Sequence, residues 1–138
     1  MKLEVEKFIN SSPRNFYNNF TVPEQATIWQ QMEVKASVTI GGSFENENGD
    51  KWTYTELRPF ERVAFKWNRN DLSPGSDVTI NIILIDYETI KILVEHTGIH
   101  DENSLKQLKE YWEWTLDNIK AFLETGYPLN KNDWEGNR

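Results

Sequence analysis

This chain encodes an α+β domain: a curved antiparallel sheet of about six to seven strands wrapped around one long C-terminal helix, with two short helices after the first strand. Strand-like segments separated by turn residues fill Val34–Thr97, and no helix-length apolar period interrupts them. Ser104–Thr125 then repeats apolar residues every three or four positions, the spacing of an amphipathic helix. A sheet with one apolar face must be covered, and this helix is the long cover the chain supplies.

Leu3, Val5 and Ile9 alternate with charged residues, the pattern of a half-buried first strand. Ser12 followed by Pro13 reads as the N-cap and first position of a short helix ending near Asn19. Thr21 and Glu24 have capping-box spacing, so a second short helix is expected over 22–29. Phe16, Phe20, Ile28 and Trp29 are expected to anchor this pair to the sheet. Gly41-Gly42 marks a bend or bulge, and Asn48-Gly49 between two strand patterns predicts a type I′ hairpin.

Val63, Phe65 and Trp67 alternate after Pro59, and a loop rich in Asn, Asp, Ser, Pro and Gly spans 68–76. Val78, Ile80, Ile82 and Leu84 share one face, as do Ile90, Ile92, Val94 and His96; these two strands are expected to be the central pair. Ser104 and Gln107 form a second capping-box pattern. Leu105, Leu108, Trp112, Leu116, Ile119 and Leu123 then make an apolar stripe roughly 30 Å long. Gly126 and Pro128 stop the helix, giving a domain over 1–126 and a flexible, mainly polar C-terminal tail over 127–138.

A chain of 138 residues is long enough for one core without disulfides, and it has no cysteine to form them. Its net charge of −7 repels phosphate backbones and acidic membrane surfaces, which argues against nucleic acid as a partner. Neither an export signal nor a membrane-length apolar run is visible, so a soluble, cytoplasmic protein without membrane insertion is expected. The two sequons, at Asn10 and Asn19, are then read as chance matches.

Aromatic residues make up 13% of the chain, enough either to fill the interior or to line a cavity. The candidate ligand pocket comprises Trp52, Tyr54, Phe65, Trp67, Ile80, Ile82, Ile92, Val94 and His96 from the strands, with Trp112, Leu116 and Ile119 from the long helix. Cavity and solid packing both satisfy this pattern, because period alone does not separate them. His96 is either a polar handle or general base facing inward, or a locally hydrogen-bonded residue at a strand end.

His96 and His100 have i, i+4 spacing, but Gly98 between them implies extended chain, which separates them by about 13 Å, too far for one metal. Asn46, Asn48 and Gly49 imitate part of a calcium loop, yet Phe44 and Thr55 stand where its end carboxylates belong. Glu45, Glu47 and Asp50 are read as a solvated edge. Dinucleotide, P-loop and nucleophile-elbow motifs are absent from the sequence. No catalytic residue, cofactor or metal site is assigned.

Four segments taken together carry a family resemblance: Gly41-Gly42-Ser43-Phe44; Leu57-Arg58-Pro59-Phe60-Glu61-Arg62-Val63-Ala64-Phe65-Lys66-Trp67; His96-Thr97-Gly98-Ile99; and Trp112-Glu113-Trp114-Thr115-Leu116 with Ile119 and Leu123. Over about residues 3–125 the chain resembles the START-like (SRPBCC) superfamily, and within it the bacterial relatives of the C-terminal domain of the Hsp90 ATPase activator. The resemblance implies a helix-grip fold. It also admits three functions: a non-enzymatic domain holding a small hydrophobic or amphipathic molecule between sheet and helix, a chaperone-associated or stress-response interaction module with an Hsp90-type chaperone as partner, or a cyclase- or aromatase-like enzyme. The first is the expectation, as a monomer or weak dimer. For the enzyme, His96 and Tyr54 are the first residues to suspect.

Overall fold

The computed structural model describes residues 1–138. Strand β1 (Lys2–Ile9) leads into helices α1 (Pro13–Thr21) and α2 (Pro23–Gln30). Strands β2 (Val34–Ala36), β3 (Ser43–Asn46), β4 (Lys51–Arg58), β5 (Arg62–Trp67), β6 (Ser76–Asp86) and β7 (Thr89–Thr97) follow, then α3 (Glu102–Thr125) and α4 (Lys131–Gly136). All seven strands form one antiparallel sheet in the order β1-β7-β6-β5-β4-β3-β2. Leu108, Trp112, Leu116 and Ile119 on one stripe of α3 are buried against the inward side chains of the strands. This is the expected helix grip. No helix is long and apolar enough to cross a membrane.

The central pair differs from expectation. β6 and β7 lie third and second from one edge, and β5 holds the middle, because β1 returns to pair with β7 from the far end of the chain. Leu84 keeps the parity of Ile80 and Ile82 but is 59% exposed, since the β6–β7 hairpin runs out past the core. Ile28 is likewise 59% exposed; Phe16, Phe20 and Trp29 anchor the short helices as expected, and Ala26 is the other buried residue of α2.

Ser12 caps α1 by accepting from the Asn15 N–H at 3.1 Å, with Pro13 at the first turn. Neither capping box forms. Thr21 closes α1 instead, its hydroxyl donating to the Tyr17 carbonyl at 2.7 Å, and α2 starts at Pro23 without a side-chain cap. At α3 the cap is Asp101, whose carboxylate accepts from the Ser104 N–H at 2.7 Å, so the helix begins two residues earlier than the pattern suggested. An acidic cap also meets the positive end of the helix dipole, which strengthens that choice. Gly126, at φ 86°, ends α3 in the left-handed conformation that favours glycine.

Residues 127–138, expected as a flexible tail, hold α4 and are fastened to α3. Asn130 caps α4, the Trp134 ring lies 5.3 Å from that of Trp114, and the Trp134 indole N–H donates to Asp117 at 2.9 Å. Arg138 pairs with Glu113 at 2.7 Å, and the Leu129 N–H donates to Asn118 at 2.8 Å. A single turn and a half of helix carries too few apolar positions to show a period, so its docking rests on one indole and several polar bonds.

Candidate functional site

Cross-strand register places the candidate residues in rows on the concave face. Trp52 lies opposite Trp67, Tyr54 opposite Phe65, and Phe65 in turn opposite Val78. Val78 faces His96, Ile80 faces Val94, and Ile82 faces Ile92. Trp112, Leu116 and Ile119 of α3 complete the set, and all twelve predicted residues are buried in one apolar cluster or, for His96, beside it. Sequence parity therefore identified the inward set.

These side chains fill the space they enclose. The Trp52 ring is stacked on Phe44 at 3.9 Å and on Phe65 at 4.3 Å, nearly parallel to both, so the two phenyl rings cover its opposite faces. Trp67 lies 5.9 Å from Trp52 and 6.0 Å from Trp112, while Phe65 approaches Trp112 at 6.4 Å. None of the twelve residues lines any of the five main depressions of the surface. Two openings beside Tyr111 hold about 170 and 270 Å³, the first between Trp29, Asn46, Asp50 and Trp114, the second between Arg69, Leu72 and Gln107. Both are below the roughly 300–1,000 Å³ of ordinary small-molecule sites.

His96 points inward, fully enclosed, with both ring nitrogens engaged. The Trp112 indole can only donate, and its N–H reaches His96 Nδ1 at 3.1 Å. Nδ1 therefore carries no proton, and Nε2–H donates to Ser76 Oγ at 2.8 Å. The Ser76 hydroxyl in turn donates a hydrogen bond to the Ser73 carbonyl at 2.7 Å. Burial pushes the His96 pKa down to about 4, against a small upward pull from Asp77. The imidazole is neutral, locked in one tautomer, and has no free nitrogen for a metal or a substrate.

Two polar atoms in the same interior are left over. Trp52 Nε1 and Tyr54 Oη are buried without a hydrogen-bond partner. Burial raises the Tyr54 phenol to about 12, only partly offset by the neighbouring Trp52 indole. Leaving a buried donor unpaired costs about 1–3 kcal/mol, so these two atoms mark the least satisfied point of the core.

Asp50 departs most from its sequence reading. Only Gly49 of the Asn48-Gly49 pair has positive φ, at 88°, so the type I′ turn does not form. Instead the Gly49 N–H donates to the Asn46 carbonyl at 3.2 Å and the Asn46 N–H to the Asp50 carbonyl at 3.2 Å, which closes a three-residue loop. Asp50 then enters on the same face as Trp52 and Tyr54 and is 3% exposed. Its carboxylate accepts from Tyr111 Oη at 3.0 Å, from Asn46 Nδ2 at 2.9 Å and from Arg69 Nη1 at 3.0 Å. Burial, with the Asp50 carboxylate second, holds the Tyr111 phenol well above its usual range. The missed signal was parity: 50, 52 and 54 share one face.

This hub ties the β3–β4 turn and the β5–β6 loop to α3. Tyr111→Phe removes a hydrogen bond to a charged acceptor while keeping the ring, and should cost about 2 kcal/mol, read as a lowered urea midpoint with unchanged slope.

A curved antiparallel sheet gripping one long helix defines the helix-grip fold. Residues 10–124 match the family described as Activator of Hsp90 ATPase homolog 1-like protein, and the chain belongs to this family. Among solved structures it is similar to PFC0360w, an HSP90 activator from Plasmodium falciparum, with 22% identity over 93% of this chain and 98% of that one and a TM-score of 0.80. The Aha1 dimer from Colwellia psychrerythraea gives 18% identity over 91% and 98%, again with a TM-score of 0.80. CalU16 from Micromonospora echinospora gives 18% over 91% and 77%, with a TM-score of 0.77. These likenesses show the fold. Comparison with curated proteins gives no match.

Proposed function

We propose that the domain acts through its surface, as a chaperone-associated interaction module with an Hsp90-type chaperone as partner. The observation that carries this reading is the ring stack of Phe44, Trp52, Phe65, Trp67 and Trp112, which occupies the gap a ligand would need. Family membership supplies the direction, since one relative in fold is described as an HSP90 activator. The test is a pull-down with the host's Hsp90-type chaperone together with its ATP turnover. A complex at micromolar concentration with altered turnover is expected; absence of both removes the proposal.

A second reading keeps the small hydrophobic or amphipathic ligand between sheet and α3, bounded by the twelve residues from Trp52 to Ile119. Its support is the unpartnered pair Trp52 Nε1 and Tyr54 Oη, which a guest carrying an acceptor would satisfy if the rings parted. Titration with anilinonaphthalene sulfonate should then be saturable with the folded protein and should shift the Trp52 indole resonance. A dye that leaves that resonance in place rules this reading out.

A further inference from the structure

Strand β1 is an edge of the sheet, paired only with β7. Both backbone groups of Met1 bond to Ile99, at 2.9 and 3.1 Å, on the β7 side. Alternation along an antiparallel strand then turns the odd-numbered residues of β1 toward β7 and the even-numbered ones away. Two contacts agree: Lys120 Nζ donates to the Phe8 carbonyl at 2.7 Å, and the Asn10 N–H donates to Glu124 at 2.8 Å. So α3 caps the free edge at its far end. The N–H and C=O of Glu4 and Glu6 are left facing outward.

They face a groove of about 940 Å³, lined by Glu4–Lys7 on one wall, by Lys109, Glu113 and Asp117 of α3 on the other, and by α4 with its approach. Unlike the interior, this opening is of the size that takes a ligand or a peptide segment. Both β1 and α4 lie outside the residues 10–124 that match the family, so the groove is not a feature the family match describes.

We infer that this groove takes an extended, lysine- or arginine-bearing segment of a partner protein as an added strand along β1. Backbone groups of Glu4 and Glu6 would supply the ladder, the general mode of strand addition at a sheet edge. Charge chooses the partner. Between β1 and the α3 and α4 walls the charges balance, Glu113, Asp117 and Asp133 against Lys7, Lys109 and Arg138. The excess is Glu4 and Glu6, whose side chains lie on the outer face of the sheet, opposite in parity to buried Leu3 and Ile9, where alternate side chains of an added strand would stand beside them. Some of these charges are already paired: Lys7 with Asp117, Arg138 with Glu113, and Glu4 and Glu6 with Lys2 and Lys91. The pairs of Glu4 and Glu6 are exposed and therefore weak, so incoming cations compete for them readily.

A second copy is the poorer occupant. The antiparallel registers that pair most of β1 with itself set Glu4 against Glu6, or one of them against its own copy, and directly opposed like charges destabilise a ladder; setting Lys2 against Glu4 avoids this only by shortening the ladder.

The inference deepens the interaction-module reading by naming the surface and the chemistry of the segment it takes. The probe is a capped peptide of alternating lysine and valine, titrated into the isotope-labelled full chain at low salt. Saturable shifts centred on the Glu4 and Glu6 amides, slowed hydrogen exchange at both, and weaker binding at higher salt are expected. Glu6→Pro removes a donor that β7 does not use, a substitution edge strands tolerate, and should lower peptide affinity about tenfold or more at unchanged melting temperature. A peptide with backbone N-methyl groups on its lysines should also fail to bind, a control that needs no variant to fold.

Shifts centred elsewhere, equal binding of a glutamate–valine peptide, unchanged affinity in Glu6→Pro, or β1-dependent self-association in place of peptide binding would each overturn the inference. A chaperone complex that forms equally well with Glu6→Pro removes the groove and leaves the module. Peptide binding at β1 without a chaperone complex does the reverse.

Discussion

Trp112→Ala is expected to remove about 4 kcal/mol of folding stability, the middle of the range for truncating a buried large aromatic side chain. The indole is fully enclosed, touching Tyr111 at 5.0 Å, Trp67 at 6.0 Å and Phe65 at 6.4 Å between ring centroids. Trp67 and Phe65 are locked by the sheet register and Tyr111 by its hydrogen bond to Asp50, so they relax little into the space left behind, and the cavity cost adds to the lost transfer energy. His96 Nδ1 loses its only donor in the same step. Single domains are stable by about 5–15 kcal/mol, so the variant should be marginal, visible as a large drop in urea midpoint.

Trp112→Phe separates the two contributions. It keeps a phenyl ring in place but loses the donor and part of the indole volume, so a smaller loss of about 2 kcal/mol is expected. A loss below about 1 kcal/mol for Trp112→Ala would mean that the interior is loosely filled, and would favour the ligand reading over the surface reading.

Acid should destabilise the protein through His96 by about 3 kcal/mol, reached progressively between pH 6.5 and pH 4. The sign follows from which state binds the proton. His96 titrates at about 4 in the folded chain and at 6.5 once exposed, so across this window the unfolded state holds more protons. Stability then rises with pH up to about 6.5, is flat above it, and falls on acidification until His96 protonates in the native state as well. Protonation at Nδ1 would set two donors against each other across the 3.1 Å contact with Trp112. Asp77 is too weak a partner to reverse this, although it opposes the shift.

Two measurements check the result. The His96 imidazole resonances should titrate near pH 4, and the pH slope of the urea midpoint between 6.5 and 4 should shrink in His96→Gln. Titration near 6.5 would show that the site admits water and that the tautomer is not locked. Asp101 and Glu124, both held below the usual carboxylate range by local hydrogen bonds, lose their contributions only in more acid solution.

Much of the architecture was legible because it is local. The alternation of Ile90, Ile92, Val94 and His96 and the stripe of Leu108, Trp112, Leu116 and Ile119 are properties of single segments, and each segment displays its face whatever it packs against. Asp50 was equally legible by parity with Trp52 and Tyr54, yet its charge argued for solvent. Only Tyr111 and Arg69, arriving from distant parts of the chain, made burial tolerable. Leu84 and Ile28 show the opposite error. Their pattern was right, but the core ends before it reaches them.

The sequence by itself determined the strand faces, the helix that covers them, and hence the class of fold. Tertiary structure alone decided that the aromatic rings close the gap between sheet and helix, that His96 is satisfied from both sides, and that β1 offers a free edge beside α3 and α4. The reason is geometric: periodicity describes how one segment presents its side chains, whereas a void or an unpaired edge depends on how closely segments far apart in the chain approach one another.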